Sequence, residues 1–479
     1  MKNIYILLMF LLIFISCNDI LKEQPKAIAV ATYYNTSQEI ESGVNAIYMP
    51  YRQGNTYQSL FPVILDVLTD LYQGTIFWND GQNYSTPTLG FMNGIWGNMY
   101  LSIRNANLII KNAPNGSDIS KEDVTKYVSE AKFMRALSYF HLVRLWGKVP
   151  IRKIENMTES DVPKSTENEV FQFIIDDLKD AESNLPDKPN AVGRPSKWSA
   201  KTVLADVYFY KGLNAEASAK AKEVIESGKY SLVEVKKWED FDSKLYGTNV
   251  IGSSESIFSI MFSKSSTSLN STFFIVLNYA NSPYSGGRGN SSIFIDTLSQ
   301  PLYSNWNNKD IRKDLWYSAD FGEGKNTMVS RKFIDPNANG GGSGIDFPLY
   351  RYADLLLIYA EASCLANNGP TADGMEALNK VHRRAYGKNP PTQPSDIDFK
   401  LTDYDAKSFA NLVIKERGYE TMVEGKRWFD LKRIGKVAEY IKANRGIDIA
   451  GKLLLWPIPN TELQYNHALD PTKDQNPGY

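Results

Sequence analysis

Cysteine and histidine are nearly missing from this chain, with 2 and 3 copies respectively in 479 residues. His141, His382 and His467 lie far apart in sequence and have no metal-ligand spacing among them. Charge of one sign is missing too. The 53 Lys and Arg residues against 54 Asp and Glu leave a net charge of −1, which gives no reason to expect nucleic acid or an anionic membrane face as the main partner. Beyond the amino-terminal stretch, no run approaches the about 18 uninterrupted apolar residues that a membrane-spanning helix needs. What remains is 43% hydrophobic and 22% charged, ordinary for a chain that buries a large core. The length suits two or three domains, or one continuous helical repeat unit.

The first seventeen residues, MKNIYILLMFLLIFISC, place everything after them. Lys2 supplies a positive start, and Ile4 to Ile15 carry no charge. Such a run is too short to span a bilayer comfortably and suits a secretory signal. It ends in Phe14-Ile15-Ser16-Cys17, which resembles a bacterial lipoprotein lipobox, with Phe14 where Leu is more usual. This reading makes 1–16 a signal peptide and Cys17 the site of lipid attachment. Each buried acyl CH₂ contributes about 0.8 kcal/mol, and several chains hold a protein at a surface where one does not. The alternative is an ordinary signal peptide cut elsewhere. With Cys17 lipidated, Cys364 has no intrachain partner and reads as a small buried hydrophobe in the apolar helix LLLIYAEASCLA.

After a polar leader at 17–37, residues 38–479 read as a single domain. A helix-turn-helix repeat of about 34 residues sets a small residue and an aromatic three apart on its first helix, and Ala and Pro five apart on its second. Ala205 and Tyr208, with Ala217 opening the next helix, fit this rule, as do Ala136 with Tyr139 and Ala181 with Pro186. Four TPR-like helix pairs are expected at about 38–113, 120–186, 196–227 and 349–386. No pair can bury its apolar face alone, so they are expected to stack as a right-handed superhelix in a mainly α fold. Ser37-Gln38-Glu39 is read as the first helix cap. Residues 228–347 form a loop-rich insertion with short β-like runs, SIFSIMF and STFFIVLNYA, and residues 387–479 carry the last helices and coil.

Three constellations bear on chemistry. Glu416, Glu420 and Glu424 stand at successive i+4 positions among Arg417, Lys426, Arg427, Lys432 and Arg433, which reads as an ion network between packed helices. The sequence GGRGNSS at 286–292 lacks the Gly-Lys-Ser/Thr ending of a phosphate loop, so no cofactor is expected. Aromatics in irregular segments are the most informative feature. Trp78, Tyr84, Tyr284, Trp306 and Trp316 sit beside Asn79, Asp80, Asn281, Asn307, Asp310 and Arg288. A sugar offers apolar C–H faces and a rim of hydroxyls, which flat rings and fixed polar groups match. The candidate oligosaccharide site is therefore Trp78, Asn79, Asp80, Tyr84, Asn281, Tyr284, Arg288 and Trp306, with no catalytic residue and no metal. Trp96, Trp146, Trp198 and Trp428 lie on helical patterns and are read as packing.

The lipobox, ATYYNTSQEIESGVNAIY, RYADLLLIYAEA, ERGYETMVEGKRWFDLKR and LLWPIPNTELQYN with the final QNPGY occur in an order that resembles the SusD/RagB outer-membrane lipoproteins. The resemblance spans essentially the whole chain after the signal. It implies a surface-exposed lipoprotein, not an enzyme, that captures a nutrient, usually a glycan, for a SusC-like TonB-dependent transporter. Two rivals stay open from the residues alone. One is a surface glycoside hydrolase using Asp80 with Asp310 or Glu420 with Glu424, and the other is a repeat scaffold that binds only proteins.

Overall fold

Helix starts along this chain are written in short polar signatures. In the computed structural model, which describes residues 33–75, 89–265, 269–289, 293–338, 342–449 and 454–479, α1 (Ser37–Tyr48) opens on Thr36. The Thr36 hydroxyl accepts from the Glu39 amide at 3.2 Å, and Glu39 accepts the Thr36 amide at 2.9 Å. The cap is thus one residue earlier than expected, because Ser37 already has helical geometry. α2 (Leu60–Val67) and α3 (Leu89–Asn112) follow, then α4 (Lys121–Trp146). α4 ends at Gly147, whose φ of +72° favours glycine and where a Cβ would lie 3.1 Å from Glu167 Oε1. A second capping box, Thr166 with Glu169, starts α5 (Glu167–Asn184). α6 (Lys197–Tyr210) and α7 (Asn214–Glu226) form the next hairpin, and α8 (Tyr352–Ala366) with α9 (Ala372–Ala385) the last.

These helices pack in chain order: α1 on α3, α3 on α4, α4 on α5, α5 on α6, α6 on α7, α7 on α8 and α8 on α9. The mainly α fold is therefore present, with its helices in one continuous stack. Their apolar faces merge into one core, where Trp146 meets Trp96 and Trp456 edge to face at 5.2 Å each. Cys364 is fully buried, and burial pushes its thiol up to about 11. No described helix is long and apolar enough to cross a membrane.

The insertion is more ordered than its composition suggests. A four-stranded antiparallel sheet runs β1 (Gln73–Gly74), β5 (Ile293–Asp296), β7 (Thr327–Ser330), β6 (Trp316–Ser318) across its width. A second pair joins β4 (Ser256–Ile260) to β8 (Phe347–Arg351), and β2 (Val149–Pro150) pairs with β3 (Lys164–Ser165). SIFSIMF supplies β4 as expected. STFFIVLNYA does not supply a strand: Phe273–Leu277 is a short helix, because a brief run buried nearly all round carries no period to separate the two. The chain then closes through α10 (Ala406–Glu420), α11 (Arg427–Arg433), α12 (Val437–Arg445) and α13 (Asn460–Tyr465). Its final coil is pinned to α4. Trp146 Nε1 donates to Pro457 O at 2.8 Å, and Asn476 donates to both Trp146 O and Trp456 O.

Between insertion and helices lies a buried ionic cluster. Glu416 and Glu420 of α10, with Glu424 one turn on, meet Arg312, Lys332, Arg351 and Arg384. Arg351 Nη1 donates to Glu420 at 2.9 Å and its Nη2 to Glu424 at 2.6 Å, while Arg384 joins Glu420 to Glu255. All are at most 3% exposed. Despite burial, the Arg312 guanidinium and a contact from His382 hold the Glu416 carboxyl at about 2, and Arg384 and Arg351 hold Glu420 at about 2. Removing one partner strands an uncompensated buried charge, so Arg351→Met is expected to cost about 3–5 kcal/mol in a denaturant titration. Carboxyls depressed in the fold contribute stability above their unfolded value and lose it as protons bind. Stability should therefore fall between about pH 5 and pH 2, and Glu420→Gln should flatten that dependence.

Candidate functional site

Strand alternation builds the site. In β6, Trp316 turns inward: it is 4% exposed, stacks on Tyr72 at 5.8 Å and donates its indole N–H to Met422 Sδ. Its neighbour Tyr317, registered on Val329 of β7, points the other way and stays half-exposed. There it joins a connected strip of partly exposed rings. Trp238 meets Tyr284 at 6.0 Å, Tyr284 meets Tyr317 at 4.9 Å, Tyr317 meets Tyr279 at 6.5 Å, and Tyr279 stacks on Phe321 at 5.9 Å and 13°.

Polar groups fix this strip. Ser282 donates to Asn278 Oδ1 and contacts the Tyr317 hydroxyl at 3.1 Å, and Tyr317 also donates to Asn278 Oδ1. Burial pushes the Tyr317 phenol up to about 12, so it remains a hydrogen-bond donor at neutral pH. Arg331 lies 4.1 Å above the Trp238 ring and donates to the Tyr284 hydroxyl at 3.2 Å. The loop beneath is tight: Asn281 adopts φ +68°, and a Cβ at Gly289 would lie 2.3 Å from Asn278 O. Rings in such a frame offer apolar faces with fixed donors beside them and need little reordering on binding.

Of the expected site residues, the structure brings Asn281, Tyr284 and Arg288 to this loop, with Asn281 and Arg288 exposed. Trp78, Asn79, Asp80 and Tyr84 lie outside the described residues. Their segment follows β1, whose Gly74 pairs with Ile293 at the opposite edge of the sheet from β6. Trp306 departs from expectation. It is 3% exposed, stacked on Tyr419 at 4.3 Å and 8°, with its N–H given to Asp310. Both its face and its polar edge are taken, so it is a packing residue here. Tyr279, Tyr317, Phe321, Trp238 and Arg331 were not anticipated. Alternation within Trp316-Tyr317-Ser318 is the signal that distinguishes the inward Trp from the outward Tyr.

Among the described residues, the carboxylates considered for hydrolysis, Glu420, Glu424 and Asp310, show no acid–base pair; Asp80 lies outside them. Glu420 and Glu424 are buried among arginines that lower both, whereas a glycosidase acid needs its value raised. Asp310 is 2% exposed and bound to Arg312 and Trp306. Among the described residues, no three His, Cys, Asp or Glu side chains converge as metal ligands. A half-open cavity of about 60 Å³ beside His141, Arg144 and Lys426 has room for a few waters, at roughly 10–15 Å³ each.

Comparison with known proteins accounts for this architecture. Residues 20–209 match a family described as starch-binding and associating with the outer membrane, and residues 204–450 match the SusD family. The chain is similar to SusD-like protein P2 of Formosa agariphila, at 27% identity over 98% of both chains. A SusD homolog from Bacteroides thetaiotaomicron superposes with a TM-score of 0.81 at 24% identity, covering 94% of this chain and 98% of that one. Surface glycan-binding protein A from Bacteroides fluxus superposes at 0.76 with 21% identity over 93% and 100% of the two chains. With the helical stack, the strand-bearing insertion and a match across more than half its length, this chain belongs to the SusD family.

Proposed function

We propose that this protein captures an oligosaccharide outside the cell and hands it to a TonB-dependent transporter without breaking a bond. The observation that carries the reading is the strip Trp238–Tyr284–Tyr317–Tyr279–Phe321, five partly exposed rings locked by Arg331, Ser282 and Asn278. Such a strip matches successive apolar sugar faces, and its flanking amides, hydroxyls and guanidinium match their hydroxyl rims. Asn281, Tyr284 and Arg288 belong to this site. The glycan-binding name of a neighbour with the same fold supports the ligand class, and the family's outer-membrane description supports the location. In this reading Cys17 carries the lipid that tethers the body to the outer membrane, and a SusC-like transporter is the partner.

Two measurements test it. In isothermal titration against a panel of maltohexaose, laminarihexaose and cellohexaose, Tyr284→Ala and Tyr317→Ala should each weaken the best ligand about tenfold, or about 1.4 kcal/mol. Trp306→Ala should lower the melting temperature and leave the affinity of the folded protein unchanged. Unchanged affinity in both tyrosine variants would reject the site. Cys17→Ala should remove fatty acid from the protein by mass spectrometry and release it from membranes. Retention of acylation would place the lipid elsewhere.

A further inference from the structure

A second ring-lined groove lies on a different part of the molecule. Between segment 230–234, α8 and the loop after α9, a cavity of about 490 Å³ opens against Tyr230, Tyr352 and Pro391. The two tyrosine rings stack at 6.4 Å and 28°, with Tyr230 half-buried. On its other side Tyr230 lines a second cavity of about 350 Å³ that reaches Trp198, also half-buried. One tyrosine therefore stands between two hollows, each of a size that takes a small ligand. None of the rings of the Tyr284–Tyr317 strip contributes to either hollow.

The polar complement narrows the ligand. Around the larger hollow, Lys244 is already paired with Asp240 and donates to Glu234 O, whereas the half-buried Lys380 and the exposed Glu234 have no side-chain hydrogen-bond or ion-pair partner among the described residues. Elsewhere even deeply buried cations such as Arg351 and Arg384 are held in ion pairs. A ligand of one charge would satisfy Lys380 or Glu234 and repel the other. Vicinal hydroxyls satisfy both, because each hydroxyl accepts from an ammonium and donates to a carboxylate. Ser254 and Thr392 add hydroxyls to the same rim.

We infer that the Tyr230 groove is a second oligosaccharide site, selective for neutral chains, with Tyr230 as the platform between two sugar subsites. It does not depend on the Tyr284–Tyr317 strip. The test is titration of the detergent-solubilised full chain with maltohexaose, laminarihexaose, cellohexaose and hexagalacturonate, in wild type and in a Tyr284→Ala/Tyr317→Ala background. The double variant should retain one binding event for a neutral hexaose. Tyr230→Ala should weaken that event at least tenfold in protein that is still folded at the titration temperature, and Lys380→Ala about threefold or more at an unchanged melting temperature. Loss on Tyr230→Ala with no effect of the double variant would sustain the groove and refute the strip. Complete loss of binding in the double variant, or indifference of the remaining event to both Tyr230→Ala and Lys380→Ala, would overturn the groove. Tighter binding of hexagalacturonate than of every neutral hexaose would overturn its selectivity.

Discussion

Three glutamates on one face of a helix end repel each other unless cations reach them from elsewhere, and this requirement ties the molecule together. Glu416, Glu420 and Glu424 are met by Arg312 and Lys332 of the insertion, Arg351 at the end of β8 and Arg384 of α9. No helix pair could bury this face on its own. A buried ion pair is weak evidence for net stability, because desolvation offsets attraction, yet losing one member is costly. In this placement of the insertion against the helices, each glutamate of the cluster has a cation beside it.

That placement positions the ring strip. β6 directly follows the segment that holds Arg312 and β7 directly precedes Lys332, so the anchoring of the cluster is also the anchoring of the sheet. On the inner face Trp316 closes over Tyr72 and Met422, and on the outer face Tyr317 is left to solvent. The same two strands thus serve the core and the exposed ring strip, one residue apart. Side chains held in this way would lose little freedom on binding a sugar, which in the proposed role favours affinity without a large buried area.

The helical stack was legible because small-plus-aromatic spacing such as Ala136 with Tyr139 and Ala205 with Tyr208 repeats locally. The ionic cluster was legible in part: the i+4 spacing of the glutamates and the nearby basic residues pointed to a network. Its true cations lie mostly elsewhere, since Arg312 and Arg384 are 108 and 36 positions from Glu420. The proposed ring strip was legible only where rings sat in irregular sequence, as with Tyr284. Trp306, flanked by Asn305, Asn307 and Asn308, had the local look of a sugar platform, but Tyr419 covers it from a helix far along the chain. Tyr317 was hidden by the opposite effect, standing beside a larger ring that faces the core. Phe273–Leu277 shows the same limit, since burial on all sides erases the period that separates helix from strand.

The claim that sugar is held on the outer face of this sheet is tested most directly by a crystal structure of the chain with the best-binding hexaose. The account predicts sugar rings lying flat within about 4 Å of Tyr284 or Tyr317, with Arg331 or Asn281 bonded to their hydroxyls. A bound hexaose that leaves this strip bare would contradict it.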